Sequence, residues 1–206
     1  MNNKTTRFLI FSGFIGPIIY FTLLSVLGLL WEGYDPISTG MSEIGAVDSP
    51  YRNVMNYFGF SLLGLWILAF SFGFKAYFNK HLSINIAFIL LLTGGTSMFL
   101  VGFFPCDAQC IDVTIVGHLH SISSTVPAIM MPVAAMVSAD FISRVWGKLW
   151  GYISFYLGLL SMASGPMMFI ARFNSFSGLI QRLGMGFSLF WMVLISLHAL
   201  RKMRVL

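Results

Sequence analysis

FLIFSGFIGPIIYFTLLSVLGLL, residues 8–30, holds no charged side chain and is long enough to cross a bilayer, which takes about 20 mainly apolar residues. Its apolar positions run on without alternation, so the segment reads as a helix rather than a strand of a membrane barrel. A backbone in lipid has no water to bond to, and a helix meets that need within its own segment. Lys4 and Arg7 precede the run, as in a secretory leader. The run is too long for a typical leader core, however, and no small-residue cleavage site follows it, so the reading is a retained first span.

The same pattern returns at 53–74, 83–104, 114–141, 149–171 and 179–200, and the connections between the runs are short and polar. Six spans in an all-α integral membrane bundle are therefore expected, with residues 1–206 forming one transmembrane domain. Composition agrees: 57% of residues are hydrophobic and 9% charged, against about 25% charged in soluble domains.

An even number of spans puts both termini on one side. Lys4, Arg7, Lys75, Lys80, Arg144, Lys148, Arg201, Lys202 and Arg204 fall there, and only Arg52, Arg172 and Arg182 fall opposite. That bias predicts cytoplasmic termini. The net charge of +5 describes this asymmetry. It does not describe nucleic-acid binding, which would need a basic face with aromatic platforms. Glu32, Asp35, Glu43, Asp48, Asp107 and Asp112 gather on the outer side, leaving Asp140 inside. Acids do not set topology, so their clustering is separate information.

The first outer connection is the longest. Asp35-Pro36 is a helix-start signal and Gly45 a stop, predicting a short interfacial helix over 36–44. Cys106 and Cys110, the only two cysteines, lie in the next outer connection, where an oxidising compartment favours a small-loop disulfide. The fourth span carries His118, Ser121 and Thr125 on one face and His120, Ser123 and Ser124 on the other. Polar groups on both faces, together with Pro127 and Pro132, argue for a central position. In the fifth span, Ser154, Gly158, Ser161 and Gly165 form a small-residue stripe suited to close helix packing.

Ser42, Glu43, Asp107, His118 and Arg182 come from separate segments yet share the depth of the outer boundary. Ionisable groups at membrane depth are candidates for function. Tyr34-Asp35-Pro36-Ile37-Ser38, Ser42-Glu43-Ile44-Gly45, Phe104-Pro105 with Asp107, His118, and Gly178-Leu179-Ile180-Gln181-Arg182 together resemble the pattern of the domain-of-unknown-function 998 family of prokaryotic membrane proteins. The resemblance covers nearly the whole chain. It implies a six-span fold in the prokaryotic cytoplasmic membrane and treats these positions as a set, but it brings no activity with it.

Read for chemistry, the set suggests an intramembrane hydrolase of a lipid-like ester or amide, working from an outward-facing polar pocket. Ser42 would be the nucleophile, His118 the general base and Asp107 the group that orients the imidazole. Glu43, Arg182, Asp35, Asn56 and Ser121 would bind the substrate. A metal variant would use His118 or His120 with Asp107 and Glu43, although two histidines two residues apart on a helix point about 200° away from each other. Haem would need two histidines at one depth, and only His81 with His198 qualify. Headgroup contact is the simpler reading of that pair, so no cofactor is expected. The alternative is a transporter or binding protein for a small solute or lipid, using the same pocket and pairing as a homodimer. Membrane lipids are the expected partners in either case. The charges would otherwise serve only to neutralise one another and hold the helices together.

Overall fold

The computed structural model describes residues 3–78, 81–171 and 175–205. Lys80 and Arg172, counted above for orientation, lie outside them. The described residues form six long helices: α1 (Asn3–Leu30), α2 (Arg52–Phe78), α3 (Leu82–Val101), α4 (Ile115–Trp146), α5 (Lys148–Ala171) and α6 (Ser177–Val205). All except α5 are long and apolar enough, by length and composition, to cross a membrane. α5 has 24 residues. The chain is thus a multi-helical all-α protein of membrane type, with no strand among the described residues.

Several helices continue past the apolar runs that announce them: α2 reaches Phe78, α4 reaches Trp146 and α6 reaches Val205. Bilayer thickness limits the apolar stretch, whereas helical hydrogen bonding carries on into the basic ends. α3 stops early, at Val101. Gly102 follows it, and Pro105 biases the residue before it away from helical geometry.

Each helix packs on the next in sequence, and α6 returns to α1, closing a ring. Close approaches depend on glycine. A Cβ on Gly64 would strike the backbone of Phe99, and one on Gly73 would meet the backbone of Leu9 and Ile10 at 2.7 Å. The small-residue stripe of α5 behaves similarly. Ser154 receives the Trp191 indole N–H at 3.0 Å, and Ser161 donates to the Gly184 carbonyl at 2.6 Å, joining α5 to α6. Gly165 departs from the stripe and is exposed.

The two ends of the ring differ. One carries the termini and tight connections; the other carries the long connection 31–51 and the disulfide-bearing connection 102–114. The expected helix over 36–44 is not formed. Asp35 does start a turn, accepting from Ile37 N at 3.0 Å, Ser38 N at 3.3 Å and the Ser38 hydroxyl at 2.6 Å. The carbonyls that would continue a helix are taken instead by α6: Ile37 O accepts from Leu179 N at 2.9 Å, Ser38 O from the Ser177 hydroxyl at 2.7 Å, and Thr39 O from Arg182 Nη1 at 2.9 Å. A single 3-10 turn, Ser42–Gly45, is what remains. Cys106 and Cys110 are joined, as expected. The bridged connection holds the first one through Val47 N donating to Cys106 O at 3.0 Å.

Candidate functional site

Beneath the 31–51 connection, side chains from all six helices and from the connection itself surround a cavity of about 690 Å³. Its size falls in the range of roughly 300–1,000 Å³ typical of small-molecule sites. The wall is mostly apolar, with Phe60, Met98, Val101, Pro127, Met131, Met162 and Met185 contributing, and no charged side chain lines it among the described residues. The hydroxyls set into the lower wall are already used by protein partners. Ser161 bonds Gly184 O and the Ser188 hydroxyl, Ser164 donates to Ser161 O, and Ser124 and Thr125 donate to Ser121 O.

A further polar group of three, Gln181, Tyr20 and Ser42, lies where the connection crosses the cavity. Gln181 Oε1 accepts from Met41 N at 2.6 Å. Tyr20, 1% exposed, points its hydroxyl at the Met41 sulfur, 3.8 Å away. Ser42 follows Met41, and its hydroxyl has no partner among the described residues. Beside the cavity, α2 runs with π-helical bonds over Met55–Ser61, an irregularity often found near functional sites. Within that segment Asn56 donates to Gly45 O at 2.9 Å and holds the 3-10 turn down.

Arg182 acts as a latch. Nη1 donates to Thr39 O and to Gly178 O, both at 2.9 Å, and Nη2 donates to the Tyr34 hydroxyl. Burial raises the pKa of that phenol despite the guanidinium beside it. Gly178 admits the connection, because a Cβ there would collide with Thr39 O. Glu43 caps the adjoining bend by accepting from Gly40 N at 2.7 Å.

A family model described as "Protein of unknown function (DUF998)" matches residues 14–198, most of the chain. The chain belongs to the DUF998 family. No curated protein and no solved structure matches it.

In this DUF998 protein the sequence-derived set does not come together as a catalytic relay. Asp107 is committed to the start of α4: Thr114 N donates to it at 2.7 Å, Val113 N at 2.8 Å and the Thr114 hydroxyl at 2.8 Å. Those bonds hold its carboxyl below the usual carboxylate range. Asp35 is lowered likewise by its bonds to the Ser38 hydroxyl and to the Ile37 and Ser38 amides, and it serves its own turn rather than the cavity. His118, with 61% of its side chain exposed, faces outward and sits 3.7 Å from Asp112, which also accepts from the Ser121 hydroxyl at 2.8 Å. Ser121 therefore belongs to that exterior group. Among the described residues no hydrogen bond joins the Ser42 hydroxyl to a histidine or a carboxylate, and His118 and Asp107 are bonded elsewhere.

The histidine that turns inward is His120, which is 2% exposed and bonded through Nδ1 to Phe104 O at 2.6 Å. Its Nε2 and the Oδ1 of Asn56 are buried without a partner among the described residues. Among those residues no three His, Cys, Asp or Glu side chains gather as an ion site, so the metal variant with His118, Asp107 and Glu43 is not assembled. His81 stacks on Phe141, and His198 lies between Trp146 and Trp150, so aromatic packing occupies both.

Tyr20 and Gln181 were missed as site residues. Gln181 stands in the quoted motif beside Arg182, and an amide inside an apolar run is the signal that marks it. Tyr20 carries no signal of its own among the aromatics of its span.

Proposed function

We propose that this DUF998 protein binds a lipid-like molecule in the cavity between its helices, as a six-span protein of the prokaryotic cytoplasmic membrane with both termini in the cytoplasm. One observation carries the reading: a space of about 690 Å³ with a mostly apolar wall and no charged lining residue among the described residues, whose helix hydroxyls are engaged with protein partners. Such a lining suits an apolar molecule with one polar end. Water-soluble ions and sugars would find too few partners there. The span count rests on α5, whose 24 residues exceed the 20 of α3, and the orientation rests on the Lys and Arg bias. Hydrolysis is not part of the proposal, since His118 and Asp107, the expected base and its orienting group, are bonded away from Ser42.

Native mass spectrometry of protein purified in mild detergent tests the reading. Wild type should carry an added long-chain amphiphile, and Ala128→Trp, which fills the cavity from α4, should lose it while keeping its unfolding temperature. Retained binding by Ala128→Trp, or no binding by wild type, would overturn it.

A further inference from the structure

Resting on the cavity as a lipid-like site, we infer that its ligand carries an uncharged, hydrogen-bond-accepting head, a carbonyl such as an ester, amide or ketone, held beneath the 31–51 connection by Gln181 and Ser42. Two polar side chains of the lining, Gln181 and Tyr20, meet Met41, Ser42 follows it in the chain, and each of the three still has a donor to offer. Because Gln181 Oε1 already accepts from Met41 N at 2.6 Å, the amide orientation is set and its NH₂ group remains to donate. The Ser42 hydroxyl makes no protein bond among the described residues and lines the same wall. Among the described residues the Tyr20 hydroxyl bonds only the Met41 thioether at 3.8 Å, a weak acceptor that a better one would displace.

A pole made of donors selects an acceptor, and a carbonyl oxygen with two lone pairs matches it. Charge excludes the stronger acceptors. A carboxylate or phosphate head would be buried without a counter-ion among the described residues, at high cost. Among the described residues no guanidinium lines the cavity, and Arg182, next to Gln181, is already bonded to Thr39 O, Gly178 O and the Tyr34 hydroxyl. An alcohol head would have to place its own O–H as well, and the Ser42 hydroxyl could accept it only by giving up its own donation to the head. Head at the connection and chain among the methionines is then the only orientation in which both ends are satisfied.

The test uses the full-length protein in nanodiscs and four probes of equal chain length: methyl palmitate, hexadecane, hexadecanol and palmitate at a pH where it is ionised. Each competes against a photoreactive long-chain methyl ketone. Methyl palmitate should compete best, ahead of hexadecane by roughly fivefold for each net hydrogen bond gained. Ser42→Ala leaves the Met41–Gln181 backbone bond intact and should remove about one such factor from methyl palmitate while leaving hexadecane unchanged. Gln181→Leu should remove more. Equal competition by ester and alkane, or stronger competition by palmitate or hexadecanol, would overturn the carbonyl head and leave the cavity reading standing. Failure of the ketone to label at all, with no probe bound, would overturn both.

Discussion

The two ends of the ring are held by different physics. At the terminal end the contacts are aromatic: Phe78 meets Trp146 at 4.8 Å and Phe74 at 4.9 Å between ring centroids, and Trp150 covers His198 at 4.1 Å. At the loop end, directional polar bonds do the holding, from Arg182 to Thr39, from Met41 to Gln181, from Asn56 to Gly45 and from the start of α4 to Asp107. Apolar contact is non-directional and suffices where tight turns already bring helices together. A connection of some twenty residues has no such constraint, and bonds with fixed geometry choose its path. The end that needs directional bonds is also the one roofing the cavity, so its polar residues serve shape first and ligand second.

Deletion of a buried ring should show the largest effect. Phe78→Ala, at a site 5% exposed in wild type, should cost about 3–5 kcal/mol, read as a fall in thermal unfolding midpoint in detergent that salt does not alter. A smaller loss at Phe78 than at Arg182 would reverse the comparison. Next comes the latch: Arg182→Ala should cost about 2–3 kcal/mol, since hydrogen bonds from a charged group are lost and buried acceptors are stranded. Arg182→Lys should fail to restore it, because an ammonium cannot span Thr39, Gly178 and Tyr34 as a planar fork does. Protease cleavage within 31–51 should accelerate in both variants and not in Phe78→Ala.

Asp107 sharpens the contrast through pH. Its folded-state carboxyl titrates below the unfolded value, so its contribution is present above the unfolded value and lost as pH falls through the folded one. Acid should therefore loosen the loop end before the aromatic end, and Asp107→Asn should flatten that part of the acid dependence in thermal unfolding. The smallest effect belongs to His118. Exposed and paired only with Asp112 at 3.7 Å, it should change stability by no more than about 0.5 kcal/mol on conversion to alanine. Fluorophosphonate labelling of Ser42 should be absent with or without His118. Labelling that depends on His118 would restore the relay.

Much of this was legible in the residues. Apolar run length located all six helices to within a few positions, and the cysteine spacing in an outer connection anticipated the bridge. Helical periodicity also separated exposed His118 from buried His120 and Ser123 on the fourth span, although Thr125 and Ser124, assigned to opposite faces, both line the cavity. Periodicity cannot say which face meets the neighbours when both are polar, and the expectation placed His118 inward where the structure places His120. The 36–44 segment failed for a related reason. Asp35-Pro36 is a sound start signal, but the competing partners of its carbonyls lie about 140 residues away on α6.

Lipid compatibility, helix number, charge asymmetry and the presence of polar groups near one boundary follow from the sequence by itself, because each depends on local composition and on the bilayer's demand that every peptide group be bonded within its segment. Which of those polar groups cap helices, which latch the connection and which face an open space was decided only by tertiary structure. A donor has one geometry and several acceptors within reach of the unfolded chain, and only packing chooses among them.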